Sequence, residues 1–295
     1  MIFNCEPSKS ARLDFFEYVN EKCPNVTSGI LTKSILSSDI HYYKIGNGKR
    51  NIISVAAHHG MEHISSATLY KTILDLSHNL TRSATSYGVN IAFLLQKFTF
   101  WFIPCLNVDG VDMSLHGAPE SPIRERQIKM NGGEDFSCWQ ANARGVDLNH
   151  NYDFRFLEYK RLEANEEIMP GKTRYSGEYP ESEPESRGMA SLVRTLAPEI
   201  VLSFHTQGEE IYFRPRSSEK SCRIAEKSAE LLGYTLSLPS GLADFGGLSD
   251  YSGEILGITS LTVELGRGKN PLPYSMLGAI AERVYKLHVV LPIHL

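Results

Sequence analysis

Residues 51–63 read NIISVAAHHGMEH, an apolar run that is followed at once by three histidines and one glutamate. The apolar half predicts a buried strand that ends at Ala57, and the polar half predicts the start of a helix. Glu62 follows His59 by three positions, so one helical turn would bring both side chains to the same point. Ligands of α/β sheets bind at the carboxyl ends of strands. The stretch therefore predicts an α/β fold that carries half of a metal site.

The spacing within this cluster also allows other pairs of ligands. His58 and Glu62 are one helical turn apart and could chelate an ion together. The same holds for His59 and His63. An isolated H-x-x-E pattern is weak, because it occurs by chance in many proteins, and a polar surface loop explains the same residues.

Strand-like and helix-like segments alternate along the whole chain. With 295 residues, 42% of them hydrophobic, the chain can bury a substantial core without crosslinks. The alternation predicts a single domain over residues 1–295, with a mixed, largely parallel twisted sheet and helices on both faces. Residues 1–40 are expected to form a helical lead-in, because Leu13, Phe16 and Val19 recur about once per helical turn.

Composition excludes several classes of partner. The formal net charge of −4 provides no polycation for nucleic acid or an anionic membrane surface. No apolar run is long enough for a transmembrane helix, and the first residues lack the pattern of a signal peptide. The five cysteines are scattered and odd in number, which favours reduced thiols. We therefore expect a cytoplasmic protein that binds neither nucleic acid nor membrane; its oligomeric state stays open.

The segment SEPESRGMASLVRTL contains a signature of a helix start. Ser182 and Glu185 match the capping-box pattern S-x-x-E, in which each side chain bonds a backbone N–H of the first turn. Pro184 is tolerated in that turn. A helix capped by Ser182 is therefore predicted.

Two further strands end in residues with metal or proton chemistry. His205 ends the apolar run EIVLSFH, and Glu264 ends the run SLTVE before a glycine-containing turn. A catalytic zinc ion takes three N or O ligands and keeps one position for water, beside which a free carboxylate acts as general base. A packed core histidine and a buried ion pair are the alternative explanations for these two residues.

Five segments together resemble the zinc metallocarboxypeptidase family, in the family's order and over roughly residues 40–290. These segments are HGME at 59–62, LNVDG at 106–110, GVDLNHNY at 145–152, SFH at 203–205 and TVELG at 262–266. The resemblance implies that His59, Glu62 and His205 bind one zinc ion. It also implies that Glu264 is the general base of a peptidase.

Within that family the chain resembles the bacterial γ-D-glutamyl-meso-diaminopimelate peptidases more closely. The segments that carry this resemblance are DFSCWQANARGVDLN, YSGEYPESEPES, HTQGEEIYF and VELGRGKNPLP. It implies a small muropeptide as substrate, in muropeptide recycling or sporulation. An ordinary metallocarboxypeptidase, an acylamino-acid deacylase and a catalytically inactive muropeptide sensor are the rival interpretations.

The chain departs from the family pattern at two positions. Ordinary members have Asn-Arg where this chain has Asn149 and His150, and the arginine there holds the terminal carboxylate of the substrate. Asn149 is expected to bind a substrate carboxylate, whereas His150 either binds another polar group or stacks within a loop. Leu242 stands where carboxypeptidases have a mobile tyrosine, and the nearby Tyr251 has no pattern that would give it that role.

The arginines near these motifs are the candidates for contacts with substrate charge. Arg144 is predicted to stabilise the oxyanion, with Arg124 and Arg126 as rivals. Arg267 follows Glu264 by three positions and is predicted to bind a carboxylate of diaminopimelate. A further set, Gln207, Glu209 and Glu210, is interpreted as a solvated acidic turn.

Overall fold

The apolar runs of the sequence form one large sheet. The computed structural model describes residues 3–214 and 218–295. The strands are β1 Val26–Lys33, β2 Asp39–Ile45, β3 Arg50–Ala56, β4 Thr85–Ser86, β5 Val89–Asn90, β6 Phe98–Ile103, β7 Ile200–His205, β8 Glu210–Tyr212, β9 Thr235–Ser237 and β10 Thr259–Glu264. Within the described ranges eight of them form a sheet of order β1-β2-β6-β3-β7-β10-β8-β9, and β4 pairs with β5 separately.

Parallel pairs form the centre of this sheet. β3 runs parallel to both β6 and β7, and β10 runs parallel to β7, whereas β2 and β8 join in the antiparallel direction. Side chains of β3 alternate between two apolar cores: Ile52 and Ala56 pack on one face, and Ile53 and Val55 pack on the other. Strands buried on both faces are apolar throughout, which makes them visible in the sequence. The predicted mixed, largely parallel sheet is confirmed.

Helices cover both faces of the sheet, as predicted. They are α1 Lys9–Lys22, α2 His63–Thr81, α3 Ile91–Lys97, α4 Val108–His116, α5 Arg124–Asn131, α6 Phe156–Asn165, α7 Pro184–Leu196, α8 Glu219–Leu232, α9 Leu248–Asp250 and α10 Leu277–Val290. α1, α2, α3, α8 and α10 contribute to one core, and α4, α7 and α9 contribute to the other. None of the helices in the described ranges has both the length and the apolar character needed to cross a bilayer.

The register of the central strands brings their carboxyl ends together. Glu264 of β10 lies directly beside His205 of β7, and Ala56 of β3 lies beside Phe204 on the other side of β7. Neighbouring strands are only about 4.8 Å apart. Residues that leave the ends of β3, β7 and β10 therefore start within reach of one another.

Residues 1–40 differ from the predicted helical lead-in. Lys9–Lys22 is helical, but Val26–Lys33 is a strand that pairs in the antiparallel direction with β2 at the edge of the sheet. This strand alternates irregularly between buried and exposed residues and contains Gly29, so its sequence lacks the apolar run of a central strand. The hairpin with β2 stabilises it instead.

The capping box predicted at the start of α7 is wrong. α7 begins at Pro184 after Glu183, and no side chain caps its backbone N–H groups. The hydroxyl of Ser182 instead donates to Glu183 at 2.8 Å and accepts from Asn151 at 2.9 Å. Glu185 points into the interior, where burial and neighbouring carboxylates raise its pKa to about 8. Tertiary hydrogen bonds thus replace the local cap.

Glu185→Gln is expected to flatten the dependence of stability on pH. Unfolded glutamate ionises near 4.5, whereas the pKa of folded Glu185 is about 8. The group's contribution is therefore fully present below the unfolded-state pKa and is lost as pH rises through the folded pKa. Between about pH 5.5 and about pH 8.5, the free energy of unfolding should fall by about 3 kcal/mol more in the wild type than in Glu185→Gln, as measured by urea unfolding. Equal losses in both proteins would contradict a buried, protonated Glu185.

Candidate metal centre and its cleft

Three side chains that are distant in sequence converge at the carboxyl edge of the sheet. His59 and Glu62 lie at a 3₁₀ turn between β3 and α2, and His205 is the last residue of β7. The ligand atoms of these three residues all lie within 4.8 Å of one another. The two oxygens of Glu62 lie 2.9 Å from Nδ1 of His59 and 3.1 Å from Nδ1 of His205. The three residues could therefore hold a metal ion.

The other two histidines of the cluster point elsewhere. Nε2 of His58 lies 3.0 Å from the hydroxyl of Tyr152, which is part of the core below the sheet edge. Nδ1 of His63 lies 2.9 Å from the hydroxyl of Tyr274, and the two rings stack. Of the pairs that the spacing allowed, the structure brings His59 and Glu62 together.

The outward nitrogens of the two imidazoles also have partners. Nε2 of His59 lies 3.2 Å from Oδ1 of Asp147, and Nε2 of His205 lies 3.1 Å from the hydroxyl of Ser203. The backbone N–H of Arg174 donates to Oδ2 of Asp147 at 3.0 Å. Although burial opposes it, the charge of His59 holds the pKa of Asp147 well below its ordinary value. Such partners orient metal-binding imidazoles, and sequence reasoning missed Asp147 although it lies within the GVDLN motif.

This donor set fits a catalytic zinc ion. Two imidazoles and one carboxylate are ligands that such sites use, with a fourth position left for water. In spite of burial, the carboxylates of Glu62 and Asp147 raise the pKa of His59 well above its ordinary value. Burial alone would raise the pKa of Glu62, but its pairing with His59 lowers that pKa to about 2. The surroundings thus favour positive charge at the point where the three ligands meet.

Glu264 lines the same cleft, which has a volume of about 240 Å³. It ends β10 beside His205, so its carboxyl group is close to the candidate metal ligands. Burial and the nearby carboxylate of Glu62 raise the pKa of Glu264 well above its ordinary value. A carboxyl group with a raised pKa can both accept and release a proton during catalysis. The arrangement has the groups that amide hydrolysis requires.

Asn149 and His150 also line this cleft. Oδ1 of Asn149 accepts a hydrogen bond from the backbone N–H of Leu248 at 3.2 Å. The side-chain N–H₂ of Asn149 therefore points away from Leu248. The ring of His150 stacks on Tyr159 at 4.4 Å, and its Nδ1 lies 2.8 Å from the carbonyl oxygen of Phe245. Because a carbonyl oxygen only accepts, Nδ1 of His150 carries a proton and donates it in this contact. Both interpretations of His150, a stacked ring and a polar contact, are thus compatible with its position.

Leu242 and Tyr251 occupy different environments. Leu242 lines the cleft. Tyr251 is buried, and its hydroxyl accepts a hydrogen bond from Arg194 at 2.7 Å. The structure therefore gives Tyr251 a role in packing.

The arginines singled out in the sequence lie outside the cleft. Arg144 binds both oxygens of Glu183, at 2.7 Å and 3.0 Å, and together with Arg126 lines a separate cavity. Arg124 pairs with Glu120 at the surface. The prediction that Arg144 faces the reaction centre is therefore corrected: Glu183, which is buried and needs a counter-charge, holds its guanidinium.

Arg267 is likewise placed away from the cleft. Its side chain is 69% exposed and pairs with Glu209, which also pairs with Arg283. The predicted contact of Arg267 with a substrate carboxylate is not supported by this position. The acidic turn interpretation of Glu209 agrees with its two surface partners.

Two arginines that sequence reasoning missed line the cleft instead. They are Arg174, which follows the loop that carries Asp147, and Arg214, which follows β8. Arg174 directly precedes the segment YSGEYPESEPES and Arg214 directly follows the segment HTQGEEIYF, so both flank segments of the closer resemblance without belonging to them. Only the folding of the loops over the sheet edge brings them there.

The sheet, the ligand group and the adjacent carboxylate define a class of protein. The sequence profile of the zinc carboxypeptidase family matches residues 13–286. The chain belongs to this family.

The chain is similar to several known proteins. It is 32% identical to gamma-D-glutamyl-L-diamino acid endopeptidase 1 of Lysinibacillus sphaericus over 84% of this chain, and spans 62% of that relative's length. The structure of bovine thrombin-activatable fibrinolysis inhibitor has a TM-score of 0.75 at 20% identity, over 99% of this chain and 97% of that one. Murein-tripeptide amidase MpaA of Escherichia coli O157 has a TM-score of 0.54 at 20% identity, over 88% and 91%. The two structural likenesses support the fold.

Titration of metal-free protein with Zn²⁺ is expected to give one binding site per chain. Glu62→Gln should lower the affinity by at least about 100-fold, because it removes the charge that both imidazoles face. His63→Gln is the matched control, since His63 lies beside Glu62 in sequence but bonds Tyr274. Isothermal titration calorimetry measures both variants. Full affinity in Glu62→Gln would mean that the ion is held elsewhere.

Proposed function

We propose that this chain hydrolyses the amide between the γ-carboxyl of D-glutamate and meso-diaminopimelate in cell-wall stem peptides. The observation that carries the proposal is that Glu264 lines one cleft with His59 and His205, which together with Glu62 form the candidate metal site. The relative from Lysinibacillus sphaericus, by its name an endopeptidase for γ-D-glutamyl-diamino acid bonds, supports this substrate. Muropeptide recycling or sporulation is the process that such an activity would serve.

His59, Glu62 and His205 would hold one zinc ion, which when bound polarises the amide carbonyl and acidifies water. The carboxylate of Glu264 accepts a proton from the attacking water and then delivers it to the leaving amine nitrogen. Its raised pKa makes this carboxylate a stronger base toward the attacking water than a carboxylate of ordinary pKa. Asp147 keeps the ring of His59 in place throughout.

Arg174 is the candidate that replaces Arg144 as donor to the developing oxyanion. It lines the cleft that contains His59 and Glu264, whereas Arg144 does not. Its backbone is fixed by Asp147, the same residue that fixes His59. A donor positioned in advance stabilises charge that develops on the carbonyl oxygen.

His150 argues against an ordinary carboxypeptidase. A bidentate arginine would bind a free terminal carboxylate strongly, whereas the imidazole of His150, which is bonded to Phe245, offers no such pair of donors. Asn149 remains to bind a substrate carboxylate through its amide N–H₂. The site therefore does not depend on a free α-carboxylate next to the scissile bond.

Purified protein is expected to release meso-diaminopimelate from L-Ala-γ-D-Glu-meso-diaminopimelate, and chelation of the metal should abolish the release. Glu264→Gln should lower kcat by at least about 100-fold, because the proton acceptor is lost, while its affinity for Zn²⁺ stays near that of the wild type. Chromatography of the amino-acid products measures the reaction. Preferred release of a C-terminal, α-linked residue from a plain peptide would refute the γ-D-glutamyl assignment.

Arg174→Gln should reduce kcat by about 100-fold with little change in KM, since the lost contact forms mainly in the transition state. Arg144→Gln tests the residue that the sequence indicated, and its kcat should stay close to that of the wild type. Steady-state kinetics on the tripeptide separate the two arginines. A large loss of kcat in Arg144→Gln alone would reverse the assignment.

A further inference from the structure

We infer that Asn270 is a positioning residue for the candidate metal ligand Glu62, and that it acts through Thr206. Asn270 lies in the loop after the strand that ends at Glu264, and Thr206 directly follows the strand that ends at His205. The inference rests on the assignment of Glu62 as a metal ligand. It does not depend on which amide the protein hydrolyses.

The backbone N–H of Thr206 holds one oxygen of Glu62. It donates to Oε2 of Glu62 at 3.2 Å, and both residues are buried. Nδ1 of His205 lies 3.1 Å from the same oxygen, and Nδ1 of His59 lies 2.9 Å from Oε1. Within the described ranges, the N–H of Thr206 is therefore the one hydrogen-bond partner of this carboxylate that is not itself part of a candidate ligand.

This N–H is the contact that can persist when an ion binds. The Nδ1 atoms that lie beside Glu62 are the imidazole nitrogens left to bind the ion, because the Nε2 atoms have other partners. A backbone N–H does not bind a metal ion and remains a donor to the carboxylate. Partners of this kind orient metal ligands and raise metal affinity. The position of Thr206 therefore determines the position of Glu62 with and without the ion.

Asn270 makes two hydrogen bonds to Thr206. Its Oδ1 accepts from the hydroxyl of Thr206 at 2.7 Å, and its Nδ2 donates to the carbonyl oxygen of Thr206 at 2.8 Å. Because the carbonyl oxygen can only accept, the amide nitrogen must lie beside it and the amide oxygen beside the hydroxyl. One planar group thus binds the side chain and the backbone of Thr206 at the same time. With the N–H on Glu62, each polar group of Thr206 has a partner.

The loop that carries Asn270 is itself anchored. Leu272, two residues further on, is buried in the core. A β carbon added at Gly266 would lie 2.9 Å from the side chain of Leu272, so the loop folds back closely on itself. The carbonyl oxygen of Gly266 accepts the N–H of Gly208 at 2.8 Å, which joins this loop to the loop after β7. The amide of Asn270 therefore reaches Thr206 from a well-supported position.

The alternative is that Asn270 merely joins two loops. Gln207 provides a bond of that kind, since its Oε1 accepts the backbone N–H of Gly268 at 3.3 Å. This bond connects the same two loops, but Gln207 is exposed, and the N–H that bonds Glu62 belongs to Thr206. Gln207→Ala is therefore the matched control for Asn270→Ala.

The test compares dissociation constants for Zn²⁺ in the full chain, measured by isothermal titration calorimetry against a competing chelator. Asn270→Ala is expected to weaken binding by about 10-fold, because the N–H of Thr206 is retained but no longer held in place. Gln207→Ala should bind Zn²⁺ as the wild type does. Wild-type affinity in Asn270→Ala, or an equal loss in Gln207→Ala, overturns the inference.

Variants of Thr206 test whether it connects Asn270 to Glu62. Thr206→Val removes the hydroxyl and should also lose about 10-fold in affinity, whereas Thr206→Ser keeps the hydroxyl and should rescue binding. Thr206→Val combined with Asn270→Ala should still lose about 10-fold, because both changes remove the same contact. Losses that multiply would show that the two residues act separately and would refute the inference. If Asn270→Ala does not fold, as judged by circular dichroism, the contrast between Thr206→Val and Thr206→Ser decides.

Glu62→Gln separates this inference from the assignment on which it rests. If Glu62→Gln binds Zn²⁺ with full affinity, the assignment of Glu62 fails, and the inference fails with it. If Glu62→Gln loses affinity and Asn270→Ala does not, the inference alone fails and the metal site stands. The assay with the γ-D-glutamyl peptide tests the proposed substrate independently of both results.

Discussion

The register of three parallel strands determines where the chemistry of this protein takes place. β3, β7 and β10 are neighbours whose carboxyl ends coincide, so His205 and Glu264 lie side by side and the turn after β3 reaches them from the other flank. A shift by one residue would turn Glu264 to the opposite face. Two apolar cores prevent such a shift, because each strand buries both of its faces. The hydrophobic pattern of the core thus fixes the distances in the cleft.

Polar groups that are buried at this edge are satisfied by a network of amide side chains. Asn107 donates to the carbonyl oxygens of His58 and Ala141, both at 3.0 Å. Asn151 donates to the carbonyl oxygen of Ser176 at 2.6 Å. The loops near Asp147 and Arg174 contain no strand that could pair their backbone groups. Amide side chains therefore provide the hydrogen bonds that a neighbouring strand would otherwise provide. The cleft is consequently built from irregular segments that are nevertheless held firmly.

The cleft combines the residues of the family motifs with further polar side chains on its walls. The candidate metal ligands and Glu264 follow the motifs, and His150, Arg174 and Arg214 also line the cleft. Within one fold, walls of this kind decide which amide is hydrolysed, because the reacting groups are common to the family.

The sequence by itself determined which strands end at a candidate metal ligand or at the candidate general base. Continuous apolar runs marked β3, β7 and β10, and the residue after each run indicated a ligand or a base, because a strand buried on both faces leaves its polar residues to its ends. Family motifs then indicated Asn149 and His150. Only the tertiary structure decided which arginines enter the cleft, which residue starts α7, and that residues 26–33 form a strand. These features depend on contacts between segments that are far apart in the chain, and a local sequence pattern does not indicate such contacts.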